Sequence, residues 1–461
     1  MTSERKSIHG QWSSRLVFIL AATGSAVGLG NIWRFPYVAG ENGGGAFVIV
    51  YLLCVALIGI PIMISEVMLG RRGRRSPINT MRALARDEGH NPRWEYLGWL
   101  GILAGFMILS FYSVVAGWTL AYGFRTASGM FAGMDAEAIS GAFDSLVGDP
   151  ERLLAWHTVF MIMTTVVVAR GVKSGLEQAV RFLMPALFVL LVAMVGYAMG
   201  NGEFARGLEY LFSPDFSKLT PAGVLEAAGQ AFFSLSLGMG AIMIYGSYLS
   251  SKASIPRTVG IIAMVDTLVA LMAGLAIFPI VFASGLEAAG GPGLIFKTLP
   301  VAFGQMPGGA FFGTLFFVLL LFAAWTSAIS LLEPIVAWLV ENRDVNRIKG
   351  AAIGGGLAWL LGVPSLLSLN LWSDYTLFGR GFFDLMDYAT ANVMLPLGGL
   401  LIALFAGWKL ARAASEQELA LGAGAIYEVW RFLTRYLVPV AIVLVMLNVT
   451  GVLGLLSGMG G

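Results

Sequence analysis

The sequence predicts an all-α polytopic membrane protein of eleven transmembrane helices, in which the first and the sixth helix are broken. Three observations support this fold class. Hydrophobic residues make up 57% and charged residues 12% of the 461 residues, whereas soluble proteins carry about 25% charged residues. Eleven apolar runs are long enough to span a bilayer. Two of these runs, five spans apart, are interrupted by glycine and polar residues, which is typical of inverted repeats.

The apolar runs give the expected organisation of the chain. We expect a single domain, 1–461, with a first five-helix repeat at 15–199, a second, inverted repeat at 222–409 and an additional eleventh helix at 430–456. The predicted spans are 15–39, 43–70, 96–125, 153–170, 176–199, 222–249, 257–284, 309–341, 349–370, 386–409 and 430–456.

Basic residues concentrate in alternate loops and thereby predict the orientation. Arg71, Arg72 and Arg74 follow the second span, and Lys252 and Arg257 follow the sixth. The loop after the third span is mainly acidic instead. Because loops rich in lysine and arginine remain in the cytoplasm, we expect a cytoplasmic N-terminus and, after eleven spans, a C-terminus on the outer side.

Composition also argues against several functional classes. The net charge of +2 is too small to indicate nucleic-acid binding. The single cysteine, Cys54, lies in an apolar run and gives no disulfide framework. His9, His90 and His157 show no metal-ligand spacing. No nucleophile and base are arranged as in an enzyme, so we expect no catalytic residues and no enzymatic activity.

The first predicted span is unsuited to a continuous helix. Gly24, Gly28 and Gly30 weaken it, Asn31 is polar, and Pro36 lacks an amide donor. A helix that stops at membrane depth leaves carbonyls and amides unpaired, which is tolerated only where they line a cavity or bind a ligand. Exposed carbonyls suit a cation and exposed amides suit a carboxylate. The segment therefore predicts a binding site in mid-membrane.

The sixth predicted span contains a similar interruption. Ser234, Ser236, Gly238 and Gly240 stand in an otherwise apolar run. Close helix packing through small residues would explain either stretch alone equally well. The occurrence of both at corresponding positions of two halves favours a transporter with its site between them.

Hydroxyl and carboxyl groups in later spans are candidates for cation binding. Thr326 and Ser327 are adjacent in the eighth span, with Ala323 one turn earlier. Hydroxyls and carbonyls together can replace the water around Na⁺, although serine and threonine commonly bond to their own helix. Asp266 lies within the seventh span, where it should face a cavity and a cation or be protonated.

Other charged residues predict structural and gating roles. Glu66 lies near the inner end of the second span and is expected to accept hydrogen bonds from the free amides of a broken helix. Alternatively, its side chain could snorkel toward the membrane surface at the helix end. Arg34 and Asp387 would form an outer gate. Trp12 and nearby basic residues would meet Glu341 as an inner gate, although charges at helix ends are often merely solvated. The nearby basic residues are Arg5, Lys6 and Arg15.

Taken together, these residues resemble the neurotransmitter:sodium symporters, in particular their bacterial amino-acid members, over nearly the whole chain. The matching segments are 24–31, 34–36, 41–47, 229–230, 235–238 and 326–327. The resemblance implies a LeuT-like 5+5 inverted repeat in a bacterial inner membrane, with a periplasmic or extracellular C-terminus. It also implies symport, namely sodium-coupled uptake of neutral hydrophobic or aromatic L-amino acids by alternating access.

The resemblance further implies two sodium sites and a substrate site. The first sodium site would use the carbonyl of Ala26, the amide oxygen of Asn31, Ser234, Asp266 and the substrate carboxylate. The second would use the carbonyls of Gly24, Val27 and Ala323 with the hydroxyls of Thr326 and Ser327. The implied substrate-binding residues are Ala26, Leu29, Gly30, Ile108, Tyr112, Phe233, Ser234, Ser236, Met239, Ser327 and Leu331.

The chain departs from the family pattern at a few positions. Asp266 stands where LeuT-like members carry asparagine, and Ala270 where animal, chloride-binding members carry serine. Because Asp266 supplies a fixed negative charge, we expect no chloride requirement. Met239 replaces a phenylalanine, and its flexible side chain should widen the range of substrates accepted.

Alternatives remain open from the sequence. The substrate of the same fold could instead be a small amino acid or an amine, or transport could be coupled to protons through Asp266. A sensor that binds without transporting and a channel are less favoured. The expected partners are the lipid bilayer and a small-molecule substrate, with no nucleic acid, and a monomer should suffice for transport.

Overall fold

The fold is described from a computed structural model of the chain. The described residues are residue 5 and residues 7–286, 293–420 and 424–449, the side chain of Val449 excepted. In this part of the chain all regular elements are helices, and the few bridges between extended residues are isolated. The predicted all-α class is therefore confirmed.

Eleven segments follow one another as expected. Nine are helices that are long and apolar enough to cross a membrane, and one is a bent pair whose halves meet at 53°, Arg15–Ala26 and Gly30–Glu41 (span 1). Span 6 consists of Pro221–Ser234 and Ala241–Ser247. The nine are Gly45–Gly73 (span 2), Pro92–Ala127 (span 3), Pro150–Ala169 (span 4), Val172–Asn201 (span 5), Ile255–Ala283 (span 7), Gly309–Asn342 (span 8), Arg347–Leu367 (span 9), Phe382–Lys409 (span 10) and Ala425–Asn448 (span 11).

The observed bounds of most spans agree with the predicted bounds to within a few residues. Residues 450–456 of the predicted eleventh span lie outside the described residues. Shorter helices between the spans are Pro77–Asp87, Ala136–Val147, Phe204–Phe212, Leu299–Gln305 and Arg412–Leu419. Turns of π-helix are Gly30–Arg34, Val55–Gly59, Val172–Glu177, Leu294–Thr298, Ala389–Met394, Phe405–Lys409 and Leu433–Leu437.

Backbone conformation explains where the two interrupted spans break. In span 1 the helix ends at Val27, whose ψ of 105° is extended. In span 6, Ser236, Gly238 and Gly240 take positive φ values of 54°, 81° and 75°. A Cβ atom at Gly238 would also lie 2.6 Å from the carbonyl oxygen of Leu395 in span 10. Positive φ and close approach together therefore require glycine there.

The two interrupted spans pack against each other in antiparallel orientation. The first half of span 1 contacts the second half of span 6, and the second half of span 1 contacts the first half of span 6. Inverted repeats give this crossing. Span 3 packs along span 8, and span 2 packs along the second half of span 6. The breaks are therefore enclosed by spans 2, 3, 7 and 8.

Candidate binding site at the two helix breaks

A small cavity lies between the two breaks. Ten of the eleven predicted substrate-binding residues line it, and Ser234 belongs to a polar cluster described below. Ser25 and Gly28, to which no substrate role was assigned, line it as well. The lining residues are Ser25, Ala26, Gly28, Leu29, Gly30, Ile108, Tyr112, Phe233, Ser236, Met239, Ser327 and Leu331.

Polar groups of the cavity come from the broken backbone and from facing hydroxyls. The amide of Leu29 donates to the Tyr112 hydroxyl at 3.2 Å. The Ser236 hydroxyl donates to the carbonyl oxygen of Ser25 at 2.7 Å. A Cβ atom at Gly28 would lie 2.5 Å from the Ser327 hydroxyl oxygen and 2.9 Å from that of Tyr112. Only glycine therefore lets the break approach these two hydroxyls.

Phe233 lines the cavity and packs against the second half of span 1. Its ring packs against Gly30, where a Cβ atom would lie 2.8 Å from a ring carbon. The guanidinium carbon of Arg34 lies 4.9 Å from the centre of the Phe233 ring, within cation–π distance. No ion pair within 4 Å joins Arg34 to Asp387 in this structure. The two predicted outer-gate residues thus form no ion pair with each other.

Asn31, Ser234 and Asp266 form a fully buried polar cluster beside the cavity. The Asn31 amide nitrogen donates to the Ser234 hydroxyl and to Asp266 Oδ1, each at 2.9 Å. The Ser234 hydroxyl donates to Asp266 Oδ2 at 2.6 Å. The Tyr51 hydroxyl donates to Ser234 at 3.1 Å. Spans 1, 2, 6 and 7 therefore meet through these groups.

A second oxygen-rich cluster joins spans 1 and 8. The Ser327 hydroxyl lies 3.3 Å from the carbonyl oxygen of Gly24 and 3.2 Å from that of Val27. The Thr326 hydroxyl donates to the carbonyl oxygen of Ala323 at 3.1 Å, within its own helix. All five residues predicted for the second sodium site are therefore brought together.

The donor chemistry of both clusters fits a hard cation. Each offers carboxylate, hydroxyl, amide or carbonyl oxygens, which are the ligands that hard cations prefer. Among the described residues there is no group of three or more histidine, cysteine, aspartate or glutamate side chains placed to hold a metal ion. The oxygen sets therefore suit sodium better than a transition metal.

Glu66 supports the break in span 6 from span 2. Its carboxylate is fully buried, and Oε1 accepts the Gly238 amide at 2.5 Å. The Gln230 amide nitrogen similarly donates to the carbonyl oxygen of Gly30 at 2.9 Å, at the break in span 1. Each interrupted helix thus has at least one freed backbone group satisfied by a side chain.

Glu341 and Trp12 meet neighbouring groups at the N-terminal end of the bundle. Glu341 accepts from His9 Nε2 at 3.0 Å, from the Ser76 amide at 2.7 Å and from the Asn79 side chain at 2.6 Å. The Trp12 indole donates to the carbonyl oxygen of Tyr245 at 3.1 Å. Trp12 therefore reaches this end without contacting Glu341 by a hydrogen bond.

Two of the expected basic partners of Glu341, Arg5 and Arg15, make other contacts instead. Arg5 pairs with Asp87 at 2.8 Å, and Arg15 donates to the Thr258 hydroxyl at 3.0 Å. Lys6 lies outside the described residues. His9 takes their place. Sequence reasoning missed it because the histidines were considered only as metal ligands.

Further functional candidates were missed in the same way. Tyr51, Gln230 and Ser25 contact the clusters or the cavity, yet none was assigned a role. The available signal was position: Ser25 and Gln230 stand inside the two glycine-rich interruptions. Tyr51 gave no such signal because aromatic residues are common in apolar spans.

Comparisons with known proteins agree with this geometry. Residues 9–137 and 137–453 match the model of the sodium:neurotransmitter symporter family. The chain is 41% identical over 454 residues to an uncharacterized sodium-dependent transporter, YhdH, of Bacillus subtilis, covering 98% of this chain and 99% of the relative. It is 34% identical over 455 residues to a sodium-dependent transporter of Haemophilus influenzae, covering 97% and 99%.

A solved structure is similar over nearly the whole chain. The crystal structure of MhsT in complex with L-phenylalanine superposes with a TM-score of 0.88 at 45% sequence identity. The match covers 95% of this chain and 99% of MhsT. The overall architecture is therefore that of a LeuT-like transporter.

Glu66→Ala should destabilise the protein by about 1–3 kcal/mol, because the buried Gly238 amide would lose its partner. Glu66→Gln keeps an acceptor oxygen and should destabilise the protein less than Glu66→Ala. The melting temperature of the purified protein in detergent measures both effects. Ser65→Ala is the matched control, since the buried Ser65 hydroxyl bonds only within its own helix. Equal melting temperatures for Glu66→Ala and Ser65→Ala would contradict the support role of Glu66.

Proposed function

We propose that this chain, which belongs to the sodium:neurotransmitter symporter family, takes up neutral hydrophobic or aromatic L-amino acids together with sodium by alternating access. The members of this family are sodium-dependent transporters and not enzymes. The observation that carries this proposal is the cavity at the two helix breaks, flanked by two buried oxygen clusters. MhsT, which is similar over nearly the whole chain, holds L-phenylalanine.

The first sodium ion would be held by the carbonyl of Ala26, the amide oxygen of Asn31, Ser234 and Asp266. The buried contacts that bring Asp266, Ser234 and Asn31 together support this assignment. The Asn31 amide oxygen accepts the Gly28 amide in this structure and would exchange that bond for the ion. The substrate carboxylate would complete the set. When bound, the ion supplies positive charge beside that carboxylate.

A second sodium ion would be held by Gly24, Val27, Ala323, Thr326 and Ser327. The convergence of the Ser327 hydroxyl with two carbonyl oxygens of span 1 supports this assignment. In the same structure the Thr326 hydroxyl bonds to its own helix, so this ligand would exchange an intrahelical bond for the ion.

The substrate would bind with its charged groups at the breaks and its side chain in the apolar part of the cavity. Its carboxylate would meet the amides of Leu29 and Gly30 and the Tyr112 hydroxyl, and its ammonium would meet the carbonyls of Ala26 and Phe233. The remaining contacts would come from Ile108, Ser234, Ser236, Met239, Ser327 and Leu331. The mainly apolar lining supports a hydrophobic or aromatic side chain.

Two gates would alternate around this site. Arg34 and Asp387 would close one end, and Trp12 and Glu341 the other. We place the end that carries Trp12 in the cytoplasm of a bacterial cell, since the basic loops share that end, and the protein in the inner membrane. We further propose that chloride is not required, because the Asp266 carboxylate is buried beside Ser234, and that a monomer suffices for transport.

Binding of the twenty amino acids to the purified protein tests the proposed function. Measured by thermal shift or scintillation proximity, hydrophobic or aromatic amino acids should bind in Na⁺ but not in K⁺. Replacing chloride by gluconate should leave binding unchanged. Binding that ignores sodium and follows pH would instead favour proton coupling through Asp266, and binding confined to glycine or small amines would overturn the substrate class.

Asp266→Ala should weaken sodium and amino-acid binding together, each by at least about tenfold. Contacts to a charged group contribute about 1.5–3 kcal/mol, and 1.4 kcal/mol corresponds to tenfold. Sodium titrations with and without amino acid measure both affinities. Asp374→Asn, at an exposed position, is the charge control and should bind normally. Unchanged sodium dependence in Asp266→Ala would remove Asp266 from the site.

The double variant Thr326→Val with Ser327→Ala should abolish sodium-coupled uptake into proteoliposomes, because two of the five proposed ligands of the second ion would lose their oxygens. Thr314→Val is the matched control, since the Thr314 hydroxyl bonds within the same helix, three turns away. Normal uptake by the double variant would show that the second sodium site lies elsewhere.

A further inference from the structure

A second, strongly basic pocket lies at the N-terminal end of the bundle, away from the central cavity. It is open to solvent and is formed by the end of span 2, the segment after span 6 and the helix Arg412–Leu419. Its basic lining residues are Arg5, Arg71, Arg72, Arg74 and Lys252. Its acidic lining residues are Asp87 and Glu418.

The acidic residues neutralise only part of this positive charge. Asp87 pairs with Arg5 at 2.8 Å, and Glu418 pairs with Arg71 at 2.5 Å. Lys252 is exposed and forms no ion pair with any described residue. The pocket is therefore lined by five basic and two acidic side chains and keeps a net positive charge. The guanidinium groups of Arg71 and Arg74 also donate to backbone carbonyl oxygens, so Arg72 and Lys252 are its principal donors for a ligand.

Arg72 adds a guanidinium group that is held only weakly by its own acidic neighbour. Its side chain is largely buried, its contact with Glu88 is long at 4.0 Å, and its Nε atom is buried without a hydrogen-bond partner. A buried donor without a partner is costly and calls for a water molecule or an ion. Ser251 and Ser254 add hydroxyl groups to the same lining.

We propose that this pocket binds a phosphate group. Arginine, lysine and serine side chains are the donors that recognise phosphate oxygens. The phosphate could be carried by an anionic phospholipid headgroup or be free in solution, and both supply the same chemistry. Basic pockets between membrane helices at the cytoplasmic face commonly hold anionic lipid headgroups. The site is separate from the central cavity, so its ligand would act on stability or transport rate and not as the transported substrate.

Thermal shift of the full-length protein in non-ionic detergent tests the proposal. Phosphatidylglycerol or inorganic phosphate should raise the melting temperature above the phosphatidylcholine and chloride controls at equal ionic strength. A response to phosphatidylglycerol alone identifies a lipid headgroup, and a saturable response to inorganic phosphate identifies the free anion. No response to either would overturn the proposal.

Single-charge variants locate the site. Lys252→Gln and Arg72→Gln should each raise the half-saturating ligand concentration by about fivefold. Lys173→Gln is the matched control, because Lys173 is an exposed lysine at the same end, outside the pocket, and it should stay within twofold of the unmodified protein. An equal rise in the half-saturating concentration for Lys173→Gln and Lys252→Gln would indicate general charge attraction and would overturn the proposed phosphate site. If Arg72→Gln does not fold, Lys252→Gln decides alone, because Lys252 is exposed and makes no ion pair.

Discussion

The structure depends on backbone groups that are freed at two helix breaks inside an apolar bundle. In hydrocarbon each unpaired amide or carbonyl costs several kcal/mol, so a break survives only where something satisfies it. Here Glu66 accepts the Gly238 amide, Gln230 donates to the Gly30 carbonyl, and Tyr112 accepts the Leu29 amide. These side chains come from spans 2, 6 and 3. The breaks therefore fix how the surrounding helices pack, and the packing in turn keeps the breaks open toward the cavity.

The same freed groups give a physical cause for coupling under the proposed function. A sodium ion that shares the substrate carboxylate with Asp266 and Asn31 binds less well when the substrate is absent. By thermodynamic linkage, the substrate then binds less well without the ion, and by the same factor. The buried position of Asp266 strengthens this dependence, because charges interact more strongly where water is excluded. Under this proposal, one arrangement of oxygen atoms would account both for the affinity for sodium and for the coupling of sodium binding to substrate binding.

Sequence patterns predicted most of the fold because hydropathy and basic loops report directly on spans. Glycine and polar residues in apolar runs also predicted where the two helices break, whereas the residues that line the cavity were implied by the resemblance to the symporter family and not by these patterns. Contacts that depend on the path of the chain were not predictable. His9 reaches Glu341, and Arg34 lies over Phe233, because of where the segments before and after the first break run. Tyr51 reaches Ser234 only because span 2 packs beside the broken span 6.

The two ends of the bundle are held differently. At the N-terminal end, Trp12 donates to Tyr245, and the buried carboxylate of Glu333 joins Tyr248 to Arg347. At the opposite end no ion pair connects Arg34 with Asp387, and Arg34 rests on Phe233 instead.

Under the proposed function, an opening toward the N-terminal side that separated these buried polar contacts would cost more than breaking exposed ones. Closing the opposite side would move Arg34 from the face of the Phe233 ring toward Asp387. Phe233 both lines the cavity and carries Arg34 on its ring. Under the same proposal, a substrate side chain that displaces the Phe233 ring would release Arg34 toward Asp387, and occupancy of the cavity would in this way be connected to the closing of the proposed outer gate.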